Sequence, residues 1–341
     1  MTVIETPLIE TPTPLLSRYA ESLFWLARYL ERAENLARVL DVAQTFETPL
    51  NPAQAWESVI AINADEKAFK ERHGTPSPES IKRFYMLDPG NPTGIRAAID
   101  AAKQNARTLR PMISTEMWQH INMLQAEVAS FTGADISGDR FSRTCARVKE
   151  AVQLHTGITE GTFYRDQGWY FLSLGKLIER ADQTTRLVDI KYHLLLPRVV
   201  DVGSALDVSQ WHALLRAAAG YHAYRRTHAS ALTPRAVAGF LLFDASFARS
   251  TALCVRQVEW FVGQLRTRFG LRGGEAASER IEELRAGLEE RDIDSVLDAG
   301  LHQFLDWIQR QLIAVSAEIG TAFFRDWRPL LRDRTQAQSQ G

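Results

Sequence analysis

Two short runs of charge sit where the surrounding residues predict burial. In LFWLARYLERAENLARVLDV, the residues Glu31, Glu34, Arg38 and Asp41 fall in or beside the arc of the helical wheel held by Leu23, Ala27 and Leu30. The opposite side carries Trp25, Tyr29, Leu36 and Val39, so this helix is apolar nearly all round and should be buried, charges included. FLSLGKLIERADQTTRLVDI repeats the arrangement with Glu179, Asp182, Arg186 and Asp189. Glu34–Arg38 and Asp182–Arg186 are i,i+4 pairs with the acid on the N-terminal side, the favoured orientation. Inside a bundle each such charge costs several kcal/mol to desolvate unless it is paired.

That constellation fits three kinds of chemistry. A salt-bridge network could fix the register of the helices. A charged, partly open cleft could hold a zwitterionic or amide-bearing ligand, since arginine grips carboxylates bidentately and acids accept from amines. Perturbed carboxylates in a low-dielectric cleft could serve as general acid and base. Arg32 and Arg180 point elsewhere on the wheel and are expected to anchor neighbouring elements or face solvent.

Secondary candidates lie at two Asp-led turns. Asn91-Pro92 and the stretch Ser246–Arg249 are each expected to open a helix, whose N-terminus attracts anions. Arg249 in a first helical turn calls for a nearby acid, and Asp244 is the local one; a bound carboxylate or phosphate is the alternative. A dimetal site of the helical-bundle kind wants Glu-x-x-His on facing helices. Here Glu34 and Asp182 stand where those histidines would be, and an arginine sits in each cluster, so no metal site is expected. No P-loop, Gly-x-Gly-x-x-Gly or Gly-x-Ser-x-Gly is present, so the chain is not expected to hold a nucleotide or other cofactor itself.

The elements that would position these residues are helical throughout. Twelve helices are expected, at roughly 16–46, 53–72, 78–87, 93–109, 112–131, 139–160, 167–195, 207–231, 234–242, 248–269, 277–290 and 293–324. Thr233-Pro234 and Asn91-Pro92 read as caps followed by proline, and Gly270 and Pro197 as stops. Asp166 is expected to cap the helix that Trp169 packs into the core. The two charged helices align at an offset of 148 (31 to 179), which also pairs Arg32 with Arg180, Arg38 with Arg186 and Asp41 with Asp189. LDPGNPTGI and FDASFARST align at an offset of 156 (88 to 244). Duplication predicts an all-α bundle with two pseudo-symmetric halves, about 15–163 and 164–331, inside a single domain over 15–331. Residues 1–14 read as a flexible leader and 332–341 as a flexible tail.

Among 341 residues, 45% hydrophobic and 24% charged describe an ordinary globular chain. A net charge of −1 supplies no global field for nucleic acid or an anionic membrane, so neither is expected as a partner. Cys145 and Cys254 are in no metal-ligand spacing and read as buried free thiols. The start lacks the basic opening and unbroken apolar core of a signal peptide, and no apolar run reaches the ~18 residues of a membrane span; a cytoplasmic location is the expectation.

The segments SRYAESLFWLARYLERAENLARVLDV, RDQGWYFLSLGKLIERADQTTRLVDIKY and FLLFDASFARS resemble the motifs of Alpha-E, a bacterial helical family. The resemblance runs from about residue 15 to 330, with Ala248 in place of a common proline and Lys176 in place of a common arginine. It implies association with a circularly permuted ATP-grasp ligase, the enzyme class that forms amide bonds through acyl phosphates. In that setting the chain would be the ligase's helical accessory subunit, helping to bind a peptide or amino-acid substrate, with ATP and magnesium on the partner.

Overall fold

A computed structural model describes residues 15–47, 53–195, 205–228 and 232–324. The expected leader (1–14), tail (332–341) and stop at Pro197 lie outside these residues. The described residues form fifteen α-helices and no strand. The first half holds α1 (Ser17–Phe46), α2 (Gln54–Ile62), α3 (Glu66–His73), α4 (Pro78–Met86), α5 (Ile95–Thr108), α6 (Thr115–Ala129) and α7 (Arg140–Thr162). The second holds α8 (Gln167–Leu195), α9 (Ala205–Ala217), α10 (Tyr221–Thr227), α11 (Pro234–Phe243), α12 (Thr251–Thr267), α13 (Glu275–Glu289), α14 (Ile293–Ala299) and α15 (Leu301–Phe323).

Three expected helices are each split in two, and each break has a left-handed residue. Ala64 (φ 55°) divides α2 from α3, Ala219 (φ 55°) divides α9 from α10, and Gly300 (φ 111°) divides α14 from α15. A residue at positive φ cannot continue a right-handed helix. The caps are mixed in outcome. Thr233 accepts from the Ala236 amide with Pro234 at the first helical position, as expected. Asp166 accepts from the Gly168 amide at 2.8 Å. Asn91 does not cap α5, whose N-cap is Gly94; its side chain instead closes a turn, accepting from Thr93 N and donating to the Phe84 carbonyl. Arg249 likewise lies one residue ahead of the true N-cap, Ser250, rather than inside the helix.

The packing repeats as the sequence does. α1 packs on α5 and α7, and α8 packs correspondingly on α12 and α15; α2 crosses to α8, and α9 crosses to α1. The two central helices, α1 and α8, pack directly on each other, and Leu23, Leu26, Ala33 and Leu40 on the first meet the same continuous core as Leu174, Ile178 and Ala181 on the second. The backbones come close at Gly175, where an added Cβ would stand 2.1 Å from the Phe24 carbonyl oxygen. Cys145 and Cys254 are buried free thiols, and burial pushes the Cys254 thiol up to about 12. No helix among the described residues is long and apolar enough to cross a membrane.

Candidate functional site

Burial of α1 and α8 carries their charges inward, and the crossing of the two helices decides the partners. Glu31 accepts from Arg180 Nε and Nη2, both at 2.9 Å. Glu179 accepts from Arg32 Nε at 2.6 Å and Nη2 at 3.0 Å. Each guanidinium therefore grips the carboxylate of the other helix bidentately, the strongest geometry for such a pair. Arg32 and Arg180 are thus central to the network and do not stand aside from it. A single wheel places them off the charged arc, but the partner helix lies on that side.

Each pair has further support. Glu31 also accepts from Arg249 Nη1 at 2.9 Å and from Asn35 Nδ2 at 3.0 Å. Glu179 also accepts from Arg28 Nε at 2.8 Å and from Gln183 Nε2 at 3.2 Å. Asn35 and Gln183 are themselves equivalent at the offset of 148. Within the helices, Arg38 reaches Glu34 at 2.5 Å and Arg186 reaches Asp182 at 2.8 Å, as the i,i+4 spacing requires. Their outer ends then cross over: Arg38 donates to the carbonyl of Ala217 at the end of α9, and Arg186 to that of Ile62 at the end of α2. These carbonyls are orphaned by the left-handed breaks at Ala219 and Ala64.

Arg249 finds its acids across the bundle, at Glu31 and Glu34, and not at Asp244. Asp244 folds back on its own turn and accepts from Ser246 N and Phe247 N. The two remaining acids stand apart from the centre, with Asp41 held by Lys149 at 2.7 Å and Asp189 by His302 at 3.0 Å. Asn91 is fully buried and its amide engaged, so it offers nothing to an anion. The site is therefore Glu31, Glu34, Arg38, Glu179, Asp182, Arg186 and Arg249, joined by Arg28, Arg32 and Arg180. The signal that could have found the last two is the Glu-Arg dipeptide duplicated on two crossing helices, because a two-fold relation makes contacts reciprocal.

A comparison with family models matches residues 15–324 to Alpha-E, described as a predicted α-helical domain with a conserved ER motif. The chain belongs to the Alpha-E family. In this Alpha-E chain the ER motif stands twice, as Glu31-Arg32 and Glu179-Arg180, and the reciprocal bond between those two dipeptides is the centre of the fold. Neither curated proteins nor solved structures gave a match.

The electrostatics follow from the geometry. Burial pushes the Glu31 and Glu179 carboxyls up, but Arg180 and Arg249 around the first, and Arg28 and Arg32 around the second, outweigh it and hold both well below the usual carboxylate range. Six guanidiniums (Arg28, Arg32, Arg38, Arg180, Arg186, Arg249) face four carboxylates (Glu31, Glu34, Glu179, Asp182). The excess is cationic, and it shows in Arg38, whose charged form is disfavoured by burial and then by Arg249. Side-chain exposure is 28% at Arg32 and 20% at Arg186, against 0% at Glu179 and 3% at Glu31. A visitor to this centre meets arginine edges while the acids face inward. No group of three or more potential metal ligands occurs among the described residues.

Beside Glu31, a cavity of about 30 Å³ lies between α1, α7 and α8 and is lined by His155 and Lys176. His155 is 3% exposed, packs against His120 with ring centroids 5.5 Å apart, and has no hydrogen-bond partner on either nitrogen. Burial, then the neighbouring His120, push it down to about 3. The unfolded chain protonates near pH 6.5 and the folded one only near 3, so this stability is whole above pH 6.5 and declines through the window from 6.5 to 3. At pH 5 the loss is about 2 kcal/mol. Urea unfolding at pH 7.5 and pH 5 should show that loss in the wild type and a clearly smaller one in His155→Leu; equal losses in both would assign the acid sensitivity to other groups.

Proposed function

We propose that this Alpha-E chain is a non-catalytic binding component, a helical accessory subunit that presents an anionic peptide or amino-acid substrate to an ATP-grasp amide ligase. The observation that carries the reading is the state of the ER acids. Glu31 and Glu179 each accept at least four hydrogen bonds, mostly from guanidinium, and are held firmly ionised. A carboxylate so engaged cannot take up a proton near neutral pH, which argues against acid–base catalysis by the ER motif. The partly exposed arginine edges favour a carboxylate-bearing ligand over the amine end of a zwitterion. Substrates of amide ligases carry such a carboxylate.

A second reading, that the network only locks helix register, is favoured by the same saturation of the acids. Co-purification of the chain with the ATP-grasp protein, followed by ATP turnover with candidate amino acids and peptides, separates the two. A stoichiometric complex whose ATP hydrolysis requires this chain is the expected result. Full ligase activity in its absence would sink the accessory role and leave the lock.

A further inference from the structure

The two halves differ in chemistry along the groove between α8 and α12. A pocket there encloses about 510 Å³, within the few-hundred-Å³ range of small-ligand sites. Lys176, Arg180 and Arg256 line it, and no acidic side chain does. Trp169 and Trp260 supply an aromatic wall. Trp260 is 51% exposed and stacks on Tyr170 with ring centroids 5.9 Å apart, so one aromatic face is held in place while much of the ring stays open.

The scaffold does not demand this composition. At the offsets of 148 and 156, the first half keeps cations opposite Lys176 and Arg180 (Arg28 and Arg32) but has Glu21 where the second has Trp169, and Asp100 where the second has Arg256. The corresponding helices, α1 and α5, pack as α8 and α12 do, so acids are compatible with the same helix pair. Arg180 is neutralised by Glu31, but the other two cations are short of negative charge. Lys176 reaches Glu160 only at 3.7 Å, and burial, then Arg180, disfavour its charged form. Arg256 donates one N–H to the Ala245 carbonyl at 2.7 Å and is otherwise exposed.

We propose that this pocket binds an anionic group, a carboxylate or a phosphate, attached to an aromatic or other apolar body. Lys176, Arg180 and Arg256 hold the anion, and Trp260 and Trp169 pack against the body, combining charge pairing with aromatic stacking. The assignment deepens the binding role given above and rests on it for the ligand's being a substrate; the binding itself needs no ligase.

Calorimetric titration of the full chain alone, with N-acetylphenylalanine, its uncharged amide and phenyl phosphate, tests it. At least one anion should bind with a Kd below about 1 mM, and the amide at least about tenfold more weakly. Whichever anion binds tighter identifies the group the pocket prefers. Arg256→Asp, which installs the first-half residue at an exposed position, should weaken binding by about tenfold or more, and Trp260→Ala by about threefold or more. Circular dichroism should show both variants folded. Equal affinity for acid and amide, no binding of either anion, or affinity unchanged in both variants would overturn the proposal. With no ligase in the cell, a failed titration and a failed ligase complex are separate results.

Discussion

Glu179→Ala should lower the free energy of unfolding by about 3–5 kcal/mol, the cost of removing one partner from a buried ion pair. The side chain is 0% exposed and accepts from Arg28, Arg32 and Gln183. Its loss strands two guanidiniums in the interior of a bundle that already holds more arginines than acids. Arg28 is only 11% exposed and cannot escape to water, whereas Arg32 at 28% can partly rehydrate. In an Arg32→Leu background the same Glu179→Ala change should therefore cost less, with a coupling of about 1–3 kcal/mol in the double-mutant cycle. Urea unfolding of the four proteins measures this. A loss below about 1 kcal/mol for Glu179→Ala would place the pair with exposed salt bridges and deny it a structural role.

Gly175→Ala should destabilise by about 1–3 kcal/mol although alanine is the better helix former. The new Cβ would lie 2.1 Å from the Phe24 carbonyl oxygen and 2.9 Å from its carbon, and backbone atoms cannot swing aside as a side chain would. Relief requires α1 and α8 to move apart at their crossing, which stretches the Glu31–Arg180 and Glu179–Arg32 bonds together. Gly157, on the exposed face of α7, has nothing within 4 Å of the corresponding position and serves as the control. There the same substitution should stabilise by about 0.5–1 kcal/mol through backbone entropy alone. Thermal unfolding of both variants checks the pair; a stabilising Gly175→Ala would mean that the crossing is looser than the 2.1 Å approach implies.

The sequence displays what one helix can do by itself. The i,i+4 pairs Glu34–Arg38 and Asp182–Arg186, the full span of α1 and α8, and the burial of both ER helices follow from spacing and composition. What depends on two elements meeting is invisible to a single wheel. Arg32 and Arg180 are off-axis on their own helices and central once α1 and α8 cross. Asp244 is the acid that sequence offers Arg249, five positions away, but the fold offers it Glu31 and Glu34, more than 200 positions away along the chain. The helix breaks divide by chemistry. Gly300 is a residue that permits positive φ, whereas Ala64 and Ala219 carry no sequence mark of it, since alanine is the strongest helix former. Their equivalence at an offset of 155 (64 to 219) becomes visible only once the repeat is followed past the ER helices.

The crossed bonds from Arg38 to Ala217 and from Arg186 to Ile62 have a consequence for how such a chain can arise and change. Half of it, taken alone, would leave a helix-end carbonyl open and an arginine held by its i,i+4 acid alone, and the other half satisfies both. The repeat thus has the contact pattern of a dimer written as one chain, with the central helices as its interface. A single chain need not carry the same residue at equivalent positions of its two halves. Arg249 stands opposite Thr93 and Lys176 opposite Arg28, so the halves differ in charge at one equivalent position and in the kind of cation at the other while the shared centre is kept.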